Sequence, residues 1–162
     1  MRELPHTHSC FVCGESNATG LRLRLQTNGR IVQTQFSPKP EHTGFKGVMH
    51  GGLIATVLDE VMAWACVVRA RRFAFCAEFT VRFLQPIPPG EEIIATAELT
   101  ANRKNRIFET KGDLRNLSGG ILAEANGKYL PVSANALTQM ATDLIGDPGW
   151  ILNPRAGDLE PT

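Results

Sequence analysis

Sixteen residues, from Leu53 to Val68, carry only two charges and contain no glycine or proline. The run is too long for an ordinary strand, so it predicts a helix that follows the pair Gly51-Gly52. Its residues are apolar on almost every face, which is typical of a buried core helix. The acid pair at its middle argues against a membrane span. A chain built around such a helix needs a second layer that covers it.

The two charges in this run are Asp59 and Glu60. Carboxylates are seldom buried without a partner or a purpose, so both are candidates for a functional site. Asp59 lies on a stripe of small residues that leaves room for a ligand or a partner, which favours it over Glu60. A desolvated Asp59 can act as a nucleophile or as a general base for water. An internal salt bridge or a cap is the structural alternative for both acids.

The start of the helix offers a second chemical group. Backbone N–H groups at a helix N-terminus are unpaired and partly positive, so those near Gly51 and Gly52 can bind an oxyanion or polarise a carbonyl. His50 can cap the helix through its ring. Eight residues separate Gly51 from Asp59, or about 12 Å along one helix, so one carbonyl cannot contact both. A twofold dimer with antiparallel helices would bring them together, which predicts two shared sites per dimer.

Alternating residues predict strands on both sides of the helix. Before it, residues 21–25 and 31–36 flank an Asn28-Gly29 turn and predict a hairpin. After it, residues 73–83, 92–99, 107–114 and 121–132 predict three consecutive hairpins. An antiparallel sheet covered by one helix is an α+β arrangement. Residues 135–145 predict a short amphipathic helix, and Trp150 and Ile151 are expected to dock from a loosely held tail at 146–162.

Four possible metal ligands open the chain: His6, His8, Cys10 and Cys13. Their spacing suggests zinc, but no second CxxC or distant His pair completes a tetrahedral site. We therefore expect no metal, and a turn whose thiols pack against the domain.

Composition narrows the functional classes. Lys and Arg (17) nearly balance Asp and Glu (16), and 43% hydrophobic with 20% charged residues is typical of a soluble globular protein. We expect no nucleic-acid or membrane partner. The N-terminus lacks the apolar stretch of a secretory signal, so we expect a cytoplasmic location with reduced thiols.

Several segments together resemble the hotdog-fold thioesterase superfamily, and in particular its phenylacetic-acid-type (PaaI-like) branch. They are His50-Gly51-Gly52 followed by Leu58-Asp59-Glu60, and the later runs at 79–86 and 123–129. The opening Cys10-Phe11-Val12-Cys13-Gly14 is similar to an N-terminal signature of uncharacterised members. The resemblance covers roughly residues 10 to 133, and the spacing from glycine pair to acid is its most specific part.

The resemblance implies a hotdog fold, with an antiparallel sheet wrapped around one long central helix, and dimers or tetramers. It also implies hydrolysis of acyl-CoA thioesters without a metal or redox cofactor, coenzyme A being part of the substrate. Asp59 matches the catalytic carboxylate, and Gly51 matches the amide on the thioester carbonyl. Many members carry Asn or Gln where this chain has Gly44. Either His42 takes part of that role, or activity is low, or the site has another purpose.

We divide the chain into an N-terminal loop segment with the CxxC motif (1–20), a hotdog thioesterase-like domain (21–133) and a C-terminal helix and tail (134–162). Coenzyme A carries phosphates, which basic side chains or backbone N–H groups near the site should contact. The substrate-binding candidates are His42, Gly44, Glu60, Arg103, Lys104, Arg106, Gly127 and Lys128. A solvated charged turn remains the simpler explanation for any one of the basic residues.

Two functions follow. The first is an acyl-CoA thioesterase that uses Asp59 and the partner's Gly51 amide, with His50 and Gly52 at the same helix end. The second is a non-catalytic acyl-CoA-binding or sensing protein of the same fold, which the missing amide at Gly44 favours.

Overall fold

A computed structural model describes residues 1–153. The strands are β1 (Arg2–Glu3), β2 (His6–Thr7), β3 (Gln26–Thr27), β4 (Ile31–Phe36), β5 (Ala74–Phe83), β6 (Ile93–Arg103), β7 (Ile107–Asn116), β8 (Ile121–Pro131) and β9 (Leu144–Ile145). The helices are α1 (Gly51–Ala70), α2 (Ala134–Ala141) and α3 (Gly149–Leu152), and a 3-10 turn spans Pro40–His42.

Helix α1 is the centre of the fold and extends two residues beyond the predicted run at each end. At its start, Nδ1 of His50 accepts a 2.8 Å hydrogen bond from the Gly52 N–H and caps the helix. At its end, Arg71 adopts a left-handed backbone with φ 58°, and its N–H bonds the Val67 carbonyl. Such a residue stops a helix. Ten of the twenty residues of α1 are buried, which confirms the predicted core helix.

Among the described residues, α1 is also the one helix long and apolar enough to cross a membrane by length and composition alone. More than half of that segment, 56%, is buried inside the chain. The sheet, rather than lipid, therefore covers its apolar surface.

Seven strands form one antiparallel sheet in the order β1-β3-β4-β6-β7-β8-β5, and its inner face wraps around α1. This is the α+β hotdog architecture that the resemblance implies. Alternate residues of β7 face the helix, among them the buried Phe108 and Leu114. Each fully buried side chain of this kind contributes roughly 1.5–3 kcal/mol relative to an exposed one.

The prediction of three consecutive hairpins is wrong in one respect. β6 pairs with β7 and β7 pairs with β8, but β5 pairs along β8 instead of β6. The connection from β5 to β6 passes beside the start of α1, where the carbonyl of buried Ile87 accepts a hydrogen bond from the Met49 N–H. β6 then begins next to β4. Neighbouring strand-like runs suggest a hairpin by default, and their periodicity does not encode this crossing.

The prediction of a strand over residues 21–25 is also wrong. The strand that precedes β4 and pairs with it is β3, which is only two residues long and begins after this run, at Gln26. Arg22 has a positive φ of 54°, which interrupts the extended backbone. The N–H of Leu23 bonds the carbonyl of Val12 in the N-terminal segment instead of a strand. The alternation in this run reflects the burial of Leu23 and Leu25 rather than sheet pairing.

The two ends of the described chain meet on the surface of the domain. β2 pairs with β9, so the helix predicted over 135–145 ends early at Ala141. Ile151 is fully buried, and the Trp150 ring lies 3.8 Å from the guanidinium of Arg2, which confirms that both dock on the body. The rest of the predicted tail, residues 154–162, lies outside the described residues.

Candidate active site

The start of α1 leaves one backbone N–H unpaired. The N–H groups of Leu53 and Ile54 bond the His50 carbonyl at 2.9 and 3.2 Å, and the Gly52 N–H bonds the His50 ring. Within residues 1–153, no atom accepts a hydrogen bond from the Gly51 N–H. Gly52, predicted as a second donor, is therefore already engaged. Gly51 alone can donate to a carbonyl oxygen.

The loop before α1 holds the cap in place. The His50 N–H bonds the His42 carbonyl at 2.8 Å, and the Gly44 N–H bonds the Val48 carbonyl at 3.0 Å. A Cβ at Gly44 would lie 3.0 Å from Cδ2 of His50, so a larger residue there would press on the cap. The His42 ring accepts a hydrogen bond from the Lys39 N–H. The ring of His42 is thus engaged in its own turn.

Asp59 lies about two helical turns further along α1 and is half-buried. The hydroxyl of Tyr129, on β8, donates a 2.8 Å hydrogen bond to its Oδ1. Tyr129 is fully buried, and burial together with the nearby Asp59 charge raises the pKa of its phenol. The phenol therefore stays protonated at neutral pH and acts as a donor that orients the carboxylate.

Gly51 and Asp59 both lie beside β5, the strand at one edge of the sheet. The outer edge of β5 has no partner strand among the described residues. Near its start, Cys76 pairs with Tyr129 of β8, whose hydroxyl bonds Asp59. Near its end, the Phe83 ring lies 3.4 Å from where a Cβ at Gly51 would be. The aromatic residues Phe75 and Phe83 are 57% and 56% exposed. An unpaired edge with exposed aromatic rings is typical of a surface that a partner covers.

The chain is similar in sequence to known proteins. A family model described as thioesterase superfamily matches residues 46–123, which contain α1, β5 and the first strands after it. Over 103 residues the chain is 31% identical to acyl-coenzyme A thioesterase 13 from Homo sapiens, and the match covers 62% of this chain and 71% of that protein. The chain belongs to the thioesterase superfamily. It is a thioester hydrolase by this relationship.

Solved structures agree with the hotdog fold of this thioesterase. The chain superposes on a crystal structure of a thioesterase superfamily protein with a TM-score of 0.70 and 25% identity, covering 76% of this chain and 63% of that one. It superposes on the E. coli PaaI protein from the phenylacetic acid degradation operon with a TM-score of 0.62 and 19% identity, covering 68% and 80%. PaaI-like proteins are therefore among its structural relatives.

Glu60, the second acid of the thioesterase helix, lies away from Asp59's hydrogen-bonding group. Its Oε1 accepts a hydrogen bond from the indole N–H of Trp64 at 3.3 Å, and its Oε2 lies 3.8 Å from Sγ of Cys10. Burial raises the pKa of this carboxyl to about 7. The structure does not bring Glu60 into the group formed by Asp59 and Tyr129. The preference for Asp59 over Glu60 stays a prediction.

Three predicted coenzyme A contacts lie together at the β6–β7 turn, where they line a depression with Leu130: Arg103, Lys104 and Arg106. Tyr129 pairs with Phe108 near the start of β7, so this turn is at the Asp59 end of the sheet. Arg103 forms an ion pair with Glu109.

The two coenzyme A contacts predicted on β8, Gly127 and Lys128, lie on opposite faces of the sheet. Lys128 is exposed and lies 3.3 Å from Glu78 in an ion pair. Gly127 faces α1, where a Cβ would come within 2.9 Å of Cε of Met62 and of the Tyr129 ring. The structure therefore gives Gly127 a packing position against the helix.

Tyr129 was not predicted as a site residue from the sequence. It is the one tyrosine in the chain, and its inward position in β8 alternates with exposed neighbours. A buried tyrosine needs a hydrogen-bond partner, and that requirement was the available signal.

Proposed function

We propose that the protein hydrolyses acyl-CoA thioesters at sites shared between two subunits. Asp59 of one chain supplies the carboxylate, and the Gly51 N–H of the other polarises the thioester carbonyl. The observation that supports the proposal is the position of both groups along the same edge strand, β5. Within the described chain, the Gly51 N–H is unpaired and Gly51 lies beside Phe83 of β5. Asp59 is bonded by Tyr129, which pairs with Cys76 of β5.

A dimer joined along β5 would bring Gly51 of one chain close to Asp59 of the other. Gly51 and Asp59 are about 12 Å apart on one straight helix, which is too far for a single carbonyl. Antiparallel pairing of two β5 edges about the middle of the strand sets the Phe83 end of each chain against the Cys76 end of the other. Gly51 lies beside Phe83. Cys76 pairs with Tyr129, whose hydroxyl bonds Asp59. Each site then receives one group from each chain, and the exposed aromatic edge is buried.

The chemistry follows from these positions. When the thioester carbon is attacked, its oxygen gains negative charge, and the Gly51 N–H and the positive helix end stabilise it. One such donor commonly contributes about 3 to 4 kcal/mol. Asp59 either takes a proton from the attacking water and returns it to the departing thiolate, or attacks directly to form an anhydride that water hydrolyses. Both routes release a carboxylic acid and free coenzyme A.

Two observations support coenzyme A as the leaving group. A relative that shares 31% identity carries the name acyl-coenzyme A thioesterase 13. The cations Arg103, Lys104 and Arg106 lie at the same end of the sheet as Asp59, where phosphates of a bound coenzyme A would be attracted.

A binding or sensing protein is the second candidate. Gly44 lies next to the His50 cap. Because glycine has no side chain, this position supplies no amide to the site. A protein that binds acyl-CoA without turnover would keep the basic turn and the apolar core while lacking this amide.

A panel of acyl-CoA thioesters, assayed with wild type and Asp59→Asn, tests the proposal. We expect wild type to turn over at least one chain length, and Asp59→Asn to reduce kcat about 100-fold or more. Asp113→Asn is the matched control, since that carboxylate pairs with Arg115 at the surface. Equally slow hydrolysis by wild type and Asp59→Asn would contradict the proposal that the protein is a hydrolase that uses Asp59. Tight coenzyme A binding without turnover by wild type would favour the sensing protein.

A further inference from the structure

A second group of reactive side chains lies on α1 away from the Asp59–Tyr129 pair. The sulfurs of Cys10 and Cys13 and one carboxylate oxygen of Glu60 all lie within 4.8 Å of one another. Cys13 is buried, and Cys10 and Glu60 are half-buried. The proposed hydrolysis uses none of the three.

The CxxC turn is built to hold both sulfurs in place. The N–H of Val12 donates to Sγ of Cys10 at 3.3 Å, and the N–H of Gly14 bonds the Cys10 carbonyl at 2.9 Å. A Cβ at Gly14 would lie 2.1 Å from that carbonyl oxygen, so only glycine fits after the second cysteine. The Thr7 hydroxyl lies 3.7 Å from Sγ of Cys13. Backbone N–H groups and hydroxyls of this kind commonly support metal-bound sulfur.

The carboxylate is held in a matching position. The Trp64 indole N–H bonds Oε1 of Glu60, which leaves Oε2 directed at Cys10. Within residues 1–153, no Lys, Arg or His forms an ion pair with Glu60. The half-buried carboxylate beside two thiols therefore has no compensating cation in the part of the chain that the structure describes.

We propose that Cys10, Cys13 and Glu60 bind one Zn²⁺ ion. Two sulfurs and one carboxylate oxygen are ligands that zinc accepts. Around a tetrahedral ion with Zn–S of about 2.3 Å and Zn–O of about 2.1 Å, ligand atoms lie roughly 3.5 to 3.8 Å apart. The observed separations, at most 4.8 Å, need a contraction of about 1 Å or less to reach that geometry. Binding displaces the thiol protons and needs no oxidant.

From the sequence we expected no metal, because no second CxxC or distant His pair completes a tetrahedral site. The third ligand comes from α1, 50 residues after Cys10, so no local spacing could reveal it. His6, by contrast, pairs with Glu15 and lies outside the cluster.

The three ligands line a cavity of about 280 Å³ whose other walls are mostly apolar and include Trp64, Phe73 and Met140. Three protein ligands beside a cavity leave the fourth zinc position for a water molecule or a small anion. This is the ligand count of a zinc site that accepts an external ligand, in contrast to a closed structural site with four protein ligands.

Metal binding by the full chain tests the proposal without any measurement of turnover, so its outcome is independent of the hydrolase. Reduced, chelator-treated protein is titrated with Zn²⁺ in competition with a chromophoric chelator, and with Co²⁺ followed by absorption. We expect one ion per chain and a thiolate-to-cobalt charge-transfer band. Cys76→Ser, which alters an exposed thiol outside the cluster, should bind as wild type does.

The variants identify the ligands. Cys10→Ser should weaken zinc binding about 100-fold or more and reduce the charge-transfer band. Glu60→Gln, which preserves shape, should weaken binding about 10-fold or more while the band remains. Circular dichroism establishes that each variant is folded. A wild-type chain with both thiols free that binds no zinc overturns the proposal, and so does unchanged affinity in folded Glu60→Gln.

Discussion

The hydroxyl of Tyr129 donates a 2.8 Å hydrogen bond to Oδ1 of Asp59, across 70 residues of sequence. This contact joins the last long strand of the sheet to the middle of the central helix. A free carboxylate on a helix samples several rotamers, whereas a carboxylate bonded by a buried phenol keeps one orientation. We therefore treat Tyr129 as the residue that positions Asp59.

Replacing Tyr129 by Phe removes this hydrogen bond and keeps the ring that packs in the core. We expect kcat to fall about tenfold, since a hydrogen bond to a charged group is commonly worth about 1.5 kcal/mol or more. The affinity for coenzyme A should not change, because the basic turn is untouched. Steady-state kinetics beside a binding measurement separates the two quantities. Wild-type kcat in Tyr129→Phe would show that the phenol does not orient the acid.

The Gly51 amide can be deleted without breaking the helix. Proline is well tolerated at the first helical position and lacks an N–H, and the extended backbone of His50, with ψ 130°, suits a residue before proline. We expect Gly51→Pro to lower kcat about 100-fold to 1,000-fold.

Gly51→Ala is the matched control for this change. It places a Cβ against the Phe83 ring as proline does, at about 3.4 Å, but it retains the N–H. Its kcat should stay within a few fold of wild type. Equal kcat in the alanine and proline variants would mean that the amide does not contact the reacting carbonyl.

Gly127 distinguishes a packing position from a substrate contact. Gly127→Ala would force a Cβ against Met62 and the Tyr129 ring, so we expect the free energy of unfolding to fall by about 1 to 3 kcal/mol. Denaturant unfolding measures this loss. KM for acyl-CoA should remain near the wild-type value. A raised KM at unchanged stability would instead support the substrate-binding role predicted from the sequence.

Local sequence patterns predicted most of the helices and strands of the fold. The apolar run predicted α1 to within two residues at each end, and the strands β4 to β8 were all predicted, because long periodic segments encode their own structure. The partner of β5 was missed because strand pairing depends on the path of the loop through Ile87. The run at 21–25 was misassigned because alternation reports burial as well as strands.

The site divides in the same way. Gly51 and Asp59 were predicted from residues within a single helix, where spacing fixes geometry. The contacts of Asp59 with Tyr129 and of Glu60 with Cys10 join segments 70 and 50 residues apart. The pattern within one segment holds no information about its partner segment. These contacts are therefore visible only in the folded structure.

Subunit complementation tests the shared site most directly. Differently tagged Asp59→Asn and Gly51→Pro chains are co-expressed, and the mixed dimer is isolated through both tags. If each site takes Asp59 from one chain and Gly51 from the other, this dimer keeps one intact site and has about half of wild-type activity. A mixed dimer of wild type with the Asp59→Asn, Gly51→Pro double variant should then be inactive. The reverse result, an inactive first dimer and a half-active second, would place the whole site within one chain and contradict the account.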